Sequence, residues 1–351
     1  EEADLLLLAA PAQLDDKQLF AVDQFLMRGG TLIAADAPFD IETQGALSAR
    51  KQGSGLSQWL AFQGIKQEEK LVLDPQNSAF PIPVNRNLGG FVVRETQLVD
   101  YPYFVDVRGE GLAQEGGITA GLNQVTMTWA SPITIEPAKN QGRKVIPLLE
   151  SSGQAWTSES LDIQPDFQTH GKLGFSPGNE REKALLAVSV EGRFESYFKD
   201  KPSPLVQRED QAASGEGADT SEGEKKTEQP VISRVIERSP ESARIILFSS
   251  NSFLADQMLD LASSGLGTRY LKPVQLVENA VDWSLEERGL LAIRGRAQFS
   301  RTLDPLERND QLFWEYLNYG LALFGLLIVW LLRGQLNRRS QQRYAAILGT
   351  A

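Results

Sequence analysis

The sequence predicts an α/β fold with β-rich excursions, followed by one C-terminal transmembrane helix. Three observations support this prediction. The first 35 residues read as strand, helix and strand, which is the order of a βαβ unit. Short β-rich segments broken by Gly, Pro and Asn follow within residues 71–198. Residues 312–332 then form an apolar stretch that is long enough to cross a bilayer.

The βαβ unit begins with residues 4–11 (DLLLLAAP), where an apolar run ending in a turn predicts a buried strand. Residues 15–18 (DDKQ) have capping-box spacing, and the apolar positions after them share one helical face. Gly29 and Gly30 end this helix, and residues 31–35 (TLIAA) form the second strand. We expect the crossover between the two strands to be right-handed.

Candidate ligand-binding residues lie where predicted strands end. Asp36 directly follows the second strand, and Ser250 and Asn251 follow a strand predicted at residues 243–249 (ARIILFS). Open α/β sheets place ligands at the carboxyl ends of their parallel strands, and Asp40 follows Asp36 closely in the chain. The alternative is structural, because Asp and Ser side chains also cap turns and helices without binding anything.

The middle of the chain is predicted to be a polar loop at residues 42–55, a short helix at 56–64 and then β-rich. Residues 207–230 have no aromatic side chain and no aliphatic one except alanine, so they predict a disordered loop or linker. The β-rich segments are residues 71–73, 90–93, 103–107, 125–129, 145–149 and 185–190.

Two helices are predicted after the strand at residues 243–249. Ser252 is an N-cap residue type for a helix at residues 253–264. Pro273 suits the first turn of a second helix at residues 273–283. Apolar positions on one face of that helix are Val274, Val277, Ala280 and Val281.

The apolar stretch at residues 312–332 predicts a membrane span, with a buried core helix as the alternative. At a rise of about 1.5 Å per residue it covers a hydrocarbon core of about 30 Å. Aromatic residues flank both ends, as is typical of the membrane interface. The positive-inside rule places residues 333–351 in the cytoplasm and residues 1–310 outside it. The aromatic and basic residues concerned are Trp314, Tyr316, Tyr319, Trp330, Arg333, Arg338, Arg339 and Arg343.

Composition excludes several kinds of chemistry. The chain has no cysteine and one histidine, His170, so disulfides, thiol nucleophiles and multi-histidine metal clusters are excluded. His170 lies among polar residues and glycines, and we expect a solvated loop residue rather than a catalytic base. The net charge of −11 argues against a nucleic-acid ligand. The glycine-rich segments match neither the Walker nor the dinucleotide pattern, so we expect no bound cofactor.

Seven segments and the C-terminal span together resemble one protein family. The segments are residues 4–38, 118–133 (ITAGLNQVTMTWASPI), 148–156 (LLESSGQAW), 187–198 (AVSVEGRFESYF), 244–256 (RIILFSSNSFLAD), 277–283 (VENAVDW) and 291–296 (LAIRGR). In this order, and with the arginine tail, they resemble the Gldg family, auxiliary components of gliding-motility-type ABC transporters. The resemblance covers nearly the whole chain.

The resemblance implies a periplasmic α/β domain related to glutamine-amidotransferase-like Rossmann folds. It implies a tether to the bacterial inner membrane, beside an ABC-2-type permease and a cytoplasmic ATPase subunit. The family transfers no catalytic residue to this chain. Some members are fused to the permease, and the first residue, Glu1, is not a start methionine, so we expect the chain to be the C-terminal part of a longer protein.

The predicted span also carries a candidate contact with the permease. Asn318, Ala322 and Gly325 are separated by four and three residues, so they share one stripe of a helix. Small and polar residues let membrane helices approach closely. The alternative is that the glycines of this span, Gly320 and Gly325, are ordinary residues of a membrane helix.

Two classes of function follow. The first is a non-catalytic auxiliary subunit of an ABC-2-type transporter, whose extracytoplasmic domain contacts the permease, a substrate or an envelope glycan. The alternative is an envelope hydrolase that acts on carbohydrates with paired carboxylates, for which Asp36 and Asp40 are the first candidates. Four aromatic residues, Trp59, Tyr101, Tyr103 and Trp129, are either glycan-stacking residues or part of the core.

Overall fold

The computed structural model describes residues 3–43, 47–88, 91–114, 117–201, 203–205, 235–266, 269–285 and 308–348. The chain divides into two compact units, residues 1–299 and 300–351. The predicted disordered loop at residues 207–230 lies outside the described residues, so that prediction stays untested.

The first unit contains all the described strands and five of the described helices. The strands are β1 (Leu5–Ala9), β2 (Thr31–Ala35), β3 (Phe39–Glu42), β4 (Ser48–Lys51), β5 (Ile65–Gln67), β6 (Leu71–Leu73), β7 (Asn77–Leu88), β8 (Phe91–Arg108), β9 (Gln124–Thr128), β10 (Ile133–Ile135), β11 (Lys144–Glu150), β12 (Trp156–Ser158), β13 (Leu185–Glu191) and β14 (Arg244–Phe248). The helices are α1 (Asp16–Met27), α2 (Leu56–Phe62), α3 (Phe167–His170), α4 (Asp256–Leu266) and α5 (Lys272–Leu285).

The central sheet has five strands in the order β1-β2-β14-β13-β11. The first three strands are parallel, with Thr31 of β2 in register with Leu5 of β1 and Arg244 of β14. Strand β13 pairs antiparallel with β14, and β11 pairs antiparallel with β13. The α/β class predicted from the sequence is therefore confirmed, and the sheet is mixed rather than wholly parallel.

Both faces of the central sheet are covered, because side chains of its buried strands alternate between two apolar clusters. Leu32 and Ala34 of β2 pack in one cluster with residues of α1 and α2. Ile33 and Ala35 pack in the other cluster, with residues of α5. Each fully buried leucine or isoleucine stabilises the fold by about 1.5–3 kcal/mol.

Helix α1 begins at the predicted capping box. The Gln18 N–H donates to Asp15 Oδ1 over 2.7 Å, and the Asp15 N–H donates to Gln18 Oε1 over 3.0 Å. The helix ends before Gly29, whose φ of +97° favours glycine. A Cβ on Gly29 would also lie 2.7 Å from Cγ of Pro240, so this turn packs closely against the segment before β14.

The β-rich part of the chain forms a three-stranded sheet, β7-β8-β9, and three two-stranded sheets. One of these corrects the prediction of a loop at residues 42–55, because β3 and β4 form an antiparallel hairpin from Phe39↔Lys51 to Glu42↔Ser48. The four candidate stacking residues are at most 1% exposed and belong to the core, so none presents a free ring to a glycan. They are Trp59, Tyr101, Tyr103 and Trp129.

The helix predicted at residues 253–264 begins three residues later, at Asp256. The preceding residues form a turn in which the Phe253 N–H donates to Ser250 Oγ over 3.2 Å. Ser252 is not the N-cap, since its hydroxyl donates to the carbonyl of Thr128 over 3.2 Å. The predicted Ser252 cap is therefore wrong, and the Ser250 hydroxyl belongs to the turn that precedes α4.

The second unit is dominated by one long helix, α6 (Arg308–Leu348). Within the described residues, its part from Leu312–Arg333 is the one segment long and apolar enough to cross a membrane. Side chains along this part are exposed, for example Leu323 at 68% and Trp330 at 70%. The arginine tail predicted after residue 332 continues the same helix as far as Leu348.

Candidate functional site

Two polar residues meet at the carboxyl ends of the neighbouring parallel strands β2 and β14. Asp36 follows β2 and Ser249 follows β14. The Asp36 N–H donates to the carbonyl of Phe248 over 3.1 Å, which extends the ladder between the strands by one bond. This is the sheet edge at which the sequence predicted a ligand.

Two further residues join this edge from the β-rich part of the chain. Gln67, the last residue of β5, donates its Nε2 to the Asp36 carbonyl over 2.7 Å and to Ser249 Oγ over 3.2 Å. The N–H of Ser131, which precedes β10, donates to the Ser249 carbonyl over 2.9 Å. We call Asp36, Gln67, Ser131 and Ser249 the strand-end cluster.

The strand-end cluster is buried but incompletely hydrogen-bonded. Its four side chains are at most 7% exposed. Asp36 Oδ2, Gln67 Oε1 and Ser131 Oγ have no hydrogen-bond partner among the described residues. A buried polar atom without a partner costs about 1–3 kcal/mol, so the hydrogen-bonding capacity of these three atoms is a distinctive feature of the cluster.

The carboxyl of Asp36 is the titratable group of the cluster. Burial raises its pKa from the ordinary 3.8 to about 6, and hydrogen bonds from the Ser54 side chain and the Ala37 N–H partly oppose this rise. The carboxyl is thus neutral in mildly acidic solution and charged at pH 7. It is suited to exchanging a proton or binding a polar group near neutral pH.

The other predicted ligand residues lie nearby but are engaged in structural bonds. The Ser250 hydroxyl donates to the carbonyl of Thr128 over 2.6 Å, and the Asn251 amide donates to the carbonyl of Phe39 over 2.8 Å. Asp40 lies on β3, where Arg50 Nη2 is 3.1 Å from its Oδ2. These bonds hold the segment after β14 against β9 and the β3–β4 hairpin.

Three residues of the cluster were not predicted from the sequence: Ser249, which ends the predicted strand, and Gln67 and Ser131, which lie elsewhere in the chain. Gln67 ends a three-residue strand, and Ser131 follows Ala130 in a connection between β9 and β10. Neither belongs to a motif, and both reach the sheet edge through pairings distant in sequence. In the sequence, Gln67 and Ser131 are simply polar residues next to apolar segments. Such residues are common in globular proteins and do not indicate a site.

Catalytic groups are sparse around this edge. The single histidine, His170, ends the short helix α3 and is exposed. Within the described ranges, no group of three or more His, Cys, Asp or Glu side chains is placed to hold a metal ion. Asp36 is therefore the one carboxyl of the strand-end cluster.

The predicted membrane stripe lies on α6. Asn318, Ala322 and Gly325 are exposed, and their spacing places them on one side of the helix. A Cβ added to Gly325 would meet no atom within 4 Å. The backbone at this position is thus open to close approach by another helix.

Comparison with known families decides the assignment. The family described as "ABC-type uncharacterized transport system" matches residues 1–282. The chain belongs to this family. The predicted resemblance to an ABC transporter auxiliary component is thereby confirmed at the level of the family.

The individual proteins that the chain resembles have low sequence identity to it. An uncharacterized protein of Borreliella burgdorferi is 20% identical over 201 residues, which is 56% of this chain. The matched region spans 37% of the length of that relative. A solved structure, the mmIFT52 N-terminal domain, is similar over 82% of this chain and 79% of its own, with 9% identity and a TM-score of 0.37.

Proposed function

We propose that this transport-family chain is a membrane-anchored, non-catalytic auxiliary subunit that contacts an ABC-2-type permease. The observation that carries the proposal is the exposed apolar part of α6, Leu312–Arg333. An exposed apolar surface of this extent on a single helix is strongly unfavourable in water. In a bilayer the Leu, Ile, Phe and Val side chains of this part favour insertion by about 0.3–0.6 kcal/mol each.

The orientation of the anchor follows from its flanking charges. Four arginines and no acidic residue follow Leu332, and positively charged flanks stay in the cytoplasm. The proposal therefore places the α/β unit in the periplasm of a bacterium and the arginine tail inside the cell. Because the described residues show no nucleotide motif, hydrolysis of ATP is assigned to a separate cytoplasmic subunit.

The placement of carboxylates supports a non-catalytic role over the carbohydrate hydrolase. Glycosidases need two carboxyl groups that flank one bond. Asp36 is buried in the strand-end cluster, whereas Asp40 is paired with Arg50 on an exposed hairpin. The parallel β1-β2-β14 half of the sheet supports the Rossmann-like relationship, and the strand-end cluster is its proposed binding edge for water, a small polar ligand or a glycan hydroxyl.

The helix stripe provides the test. We expect Gly325→Leu to insert normally but to reduce the amount of permease that co-purifies with the tagged chain by at least fivefold. Leucine favours insertion, yet it holds two helix backbones apart. Leu327→Ala, which lies off the stripe, is the matched control.

Equal recovery of the permease with both variants would contradict the helix contact. Recovery of no permease with the unaltered chain, under conditions that keep the ATPase and permease associated, would contradict the proposed subunit role itself. Membrane fractions before solubilisation show whether each variant was inserted.

A further inference from the structure

A cleft on the first unit carries an excess of positive charge that the proposed function does not use. It has a volume of about 350 Å³ and lies among α2, β11 and the segment after β13. Four of its lining residues are cationic and one is acidic, although the whole chain carries a net charge of −11. The charged lining residues are Lys139, Arg143, Arg193, Arg238 and Glu195.

The cleft is separate from the strand-end cluster. Glu191, at the end of β13, is in register with Arg244, at the start of β14. The cleft follows β13 through Arg193, so it lies toward the sheet edge where the parallel strands begin. Asp36 lies at the opposite edge, where those strands end.

Arg143 is held rigidly at the centre of the cleft. Its Nε donates to the carbonyl of Arg193 over 2.8 Å, and its Nη1 donates to the carbonyl of Gln63 over 2.6 Å. Its guanidinium carbon lies 4.2 Å from the centre of the Phe194 ring. These contacts fix the planar group in one orientation before any ligand arrives, which reduces the entropy lost on binding.

Gly192 packs closely against the side chain of Arg143. Gly192 has a φ of +143°, and a Cβ there would lie 3.1 Å from Cγ of Arg143. A side chain at this position would press on the stem of the arginine. The arrangement of Arg143 thus depends on the local backbone as well as on its own hydrogen bonds.

The charge of Arg143 has no carboxylate within ion-pair distance among the described residues, whereas its cationic neighbours have one each. Arg193 pairs with Glu241 at 3.3 Å, Arg238 with Glu195 at 3.0 Å and Lys139 with Glu136 at 2.9 Å. These three pairs are exposed, and exposed ion pairs contribute only about 0–1 kcal/mol. Their cations can therefore turn toward an incoming anion at little cost. Burial lowers the pKa of Arg143, and the nearby charge of Glu195 partly opposes this.

We propose that this cleft binds a phosphate group, with Arg143 as the fixed ligand and Arg193 and Arg238 as adjustable ones. Because Nε and Nη1 of Arg143 donate to Arg193, Gln63 and Asn140, the N–H groups of its Nη2 are the ones that donate to a phosphate oxygen. Phe62, which lines the cleft and is 39% exposed, provides an apolar wall for the group that carries the phosphate. Both a phospholipid headgroup and a soluble phosphate ester fit this chemistry.

The test measures binding to the full chain in a neutral detergent by titration calorimetry. The probes are inorganic phosphate and short-chain dihexanoyl phosphatidylglycerol below its micelle concentration. We expect Arg143→Gln to weaken binding at least tenfold and the double variant Arg193→Gln/Arg238→Gln at least fivefold. Arg50→Gln, which removes an exposed, ion-paired arginine outside the cleft, is expected to bind like the unaltered chain.

The two probes separate the possible sources of the phosphate. Binding of inorganic phosphate that depends on Arg143 supports a soluble ester, and binding of the lipid alone supports a headgroup. The double variant covers the case in which Arg143→Gln fails to fold, because Arg193 and Arg238 are exposed. Absence of binding to both probes at millimolar concentration, or binding that both cleft variants retain, overturns the proposal.

Discussion

Asp23 on α1 is a buried carboxylate that accepts four hydrogen bonds. Its Oδ1 accepts from Trp59 Nε1 and the Tyr197 N–H, both over 2.9 Å. Its Oδ2 accepts from Ser196 Oγ over 2.6 Å and from Gln24 Nε2 over 3.1 Å. The Asp23 side chain therefore connects α1, α2 and the segment after β13. The four groups that donate to it are all neutral.

Replacement of Asp23 by alanine should destabilise the first unit strongly. The change leaves four donors without their acceptor in a buried site, and we expect a loss of about 3–5 kcal/mol in the free energy of unfolding. Urea unfolding monitored by tryptophan fluorescence measures it. Asp16→Ala, on the exposed first turn of the same helix, should cost less than about 1 kcal/mol. A similar loss in both variants would show that Asp23 is not the connecting group.

Two other buried carboxyls are not balanced in this way. Burial raises the pKa of Asp36 and of Asp106 to about 6, although Arg108 partly opposes the rise at Asp106. Asp36 Oδ2 and Asp106 Oδ1 have no hydrogen-bond partner in the described part of the chain. Because the folded pKa lies above the unfolded one, each neutral carboxyl favours the folded state, and this contribution is lost as the pH rises through about 6.

The pH dependence of Asp36→Asn should follow this sign. At pH 4, where the native carboxyl is neutral, the variant and the unaltered chain should have the same free energy of unfolding. A shift of about two pKa units corresponds to about 3 kcal/mol. At pH 8, where the native carboxyl is charged, the free energy of unfolding of the variant should exceed that of the unaltered chain by about 1–3 kcal/mol. Unfolding curves at both pH values measure the difference.

The same pH comparison can be made with Asp106→Asn, on strand β8 of the three-stranded sheet. The double variant should show the sum of the two effects, since Asp36 follows β2 of the central sheet and Asp106 lies on β8 of another sheet. A stability difference that does not change between pH 4 and pH 8 would contradict the raised pKa values.

At the scale of single elements, the start of α1 depends on its capping box. Asp15→Ala removes the acceptor for the Gln18 N–H and should cost about 1 kcal/mol in unfolding free energy. Asp15→Ser keeps an acceptor and should recover most of this loss. Thermal unfolding of both variants checks the prediction, and equal loss in both would assign the effect to packing around α1 instead.

The elements that the sequence predicted are those with strong local signals. Strands β1, β2 and β14 are apolar runs, and α1 has both a capping box and terminal glycines. The β3–β4 hairpin was missed because its strands, FDIE and SARK, are short and mostly polar and are defined by their pairing with each other. Local residue types cannot reveal such pairing.

The candidate site was predictable only in part, for a related reason. Asp36 was selected because it follows a recognisable strand, whereas after β14 the sequence pointed to Ser250 instead of Ser249. Gln67 and Ser131 were not selected, because they reach the same edge through β5 and the turn before β10. The burial that raises the pKa of Asp36 also depends on these distant segments.

For the molecule as a whole, the decisive prediction concerns its orientation in the membrane. The chain has no cysteine, so single cysteines can be introduced and labelled selectively. A membrane-impermeant maleimide should label Lys172→Cys, which is exposed on the first unit, in intact spheroplasts. Ser340→Cys in the arginine tail should react only after the membrane is opened. Labelling of Ser340→Cys in intact cells would reverse the proposed topology.

The order of strands in the central sheet has a consequence for how the protein is made. Strand β2 lies between β1, its near neighbour in sequence, and β14, which is synthesised much later. Until Phe248 has emerged, β2 therefore has an open hydrogen-bonding edge, which is prone to pair with other chains. Non-local closure of this kind is slow. An incomplete copy of the chain therefore exposes this edge to proteases and chaperones.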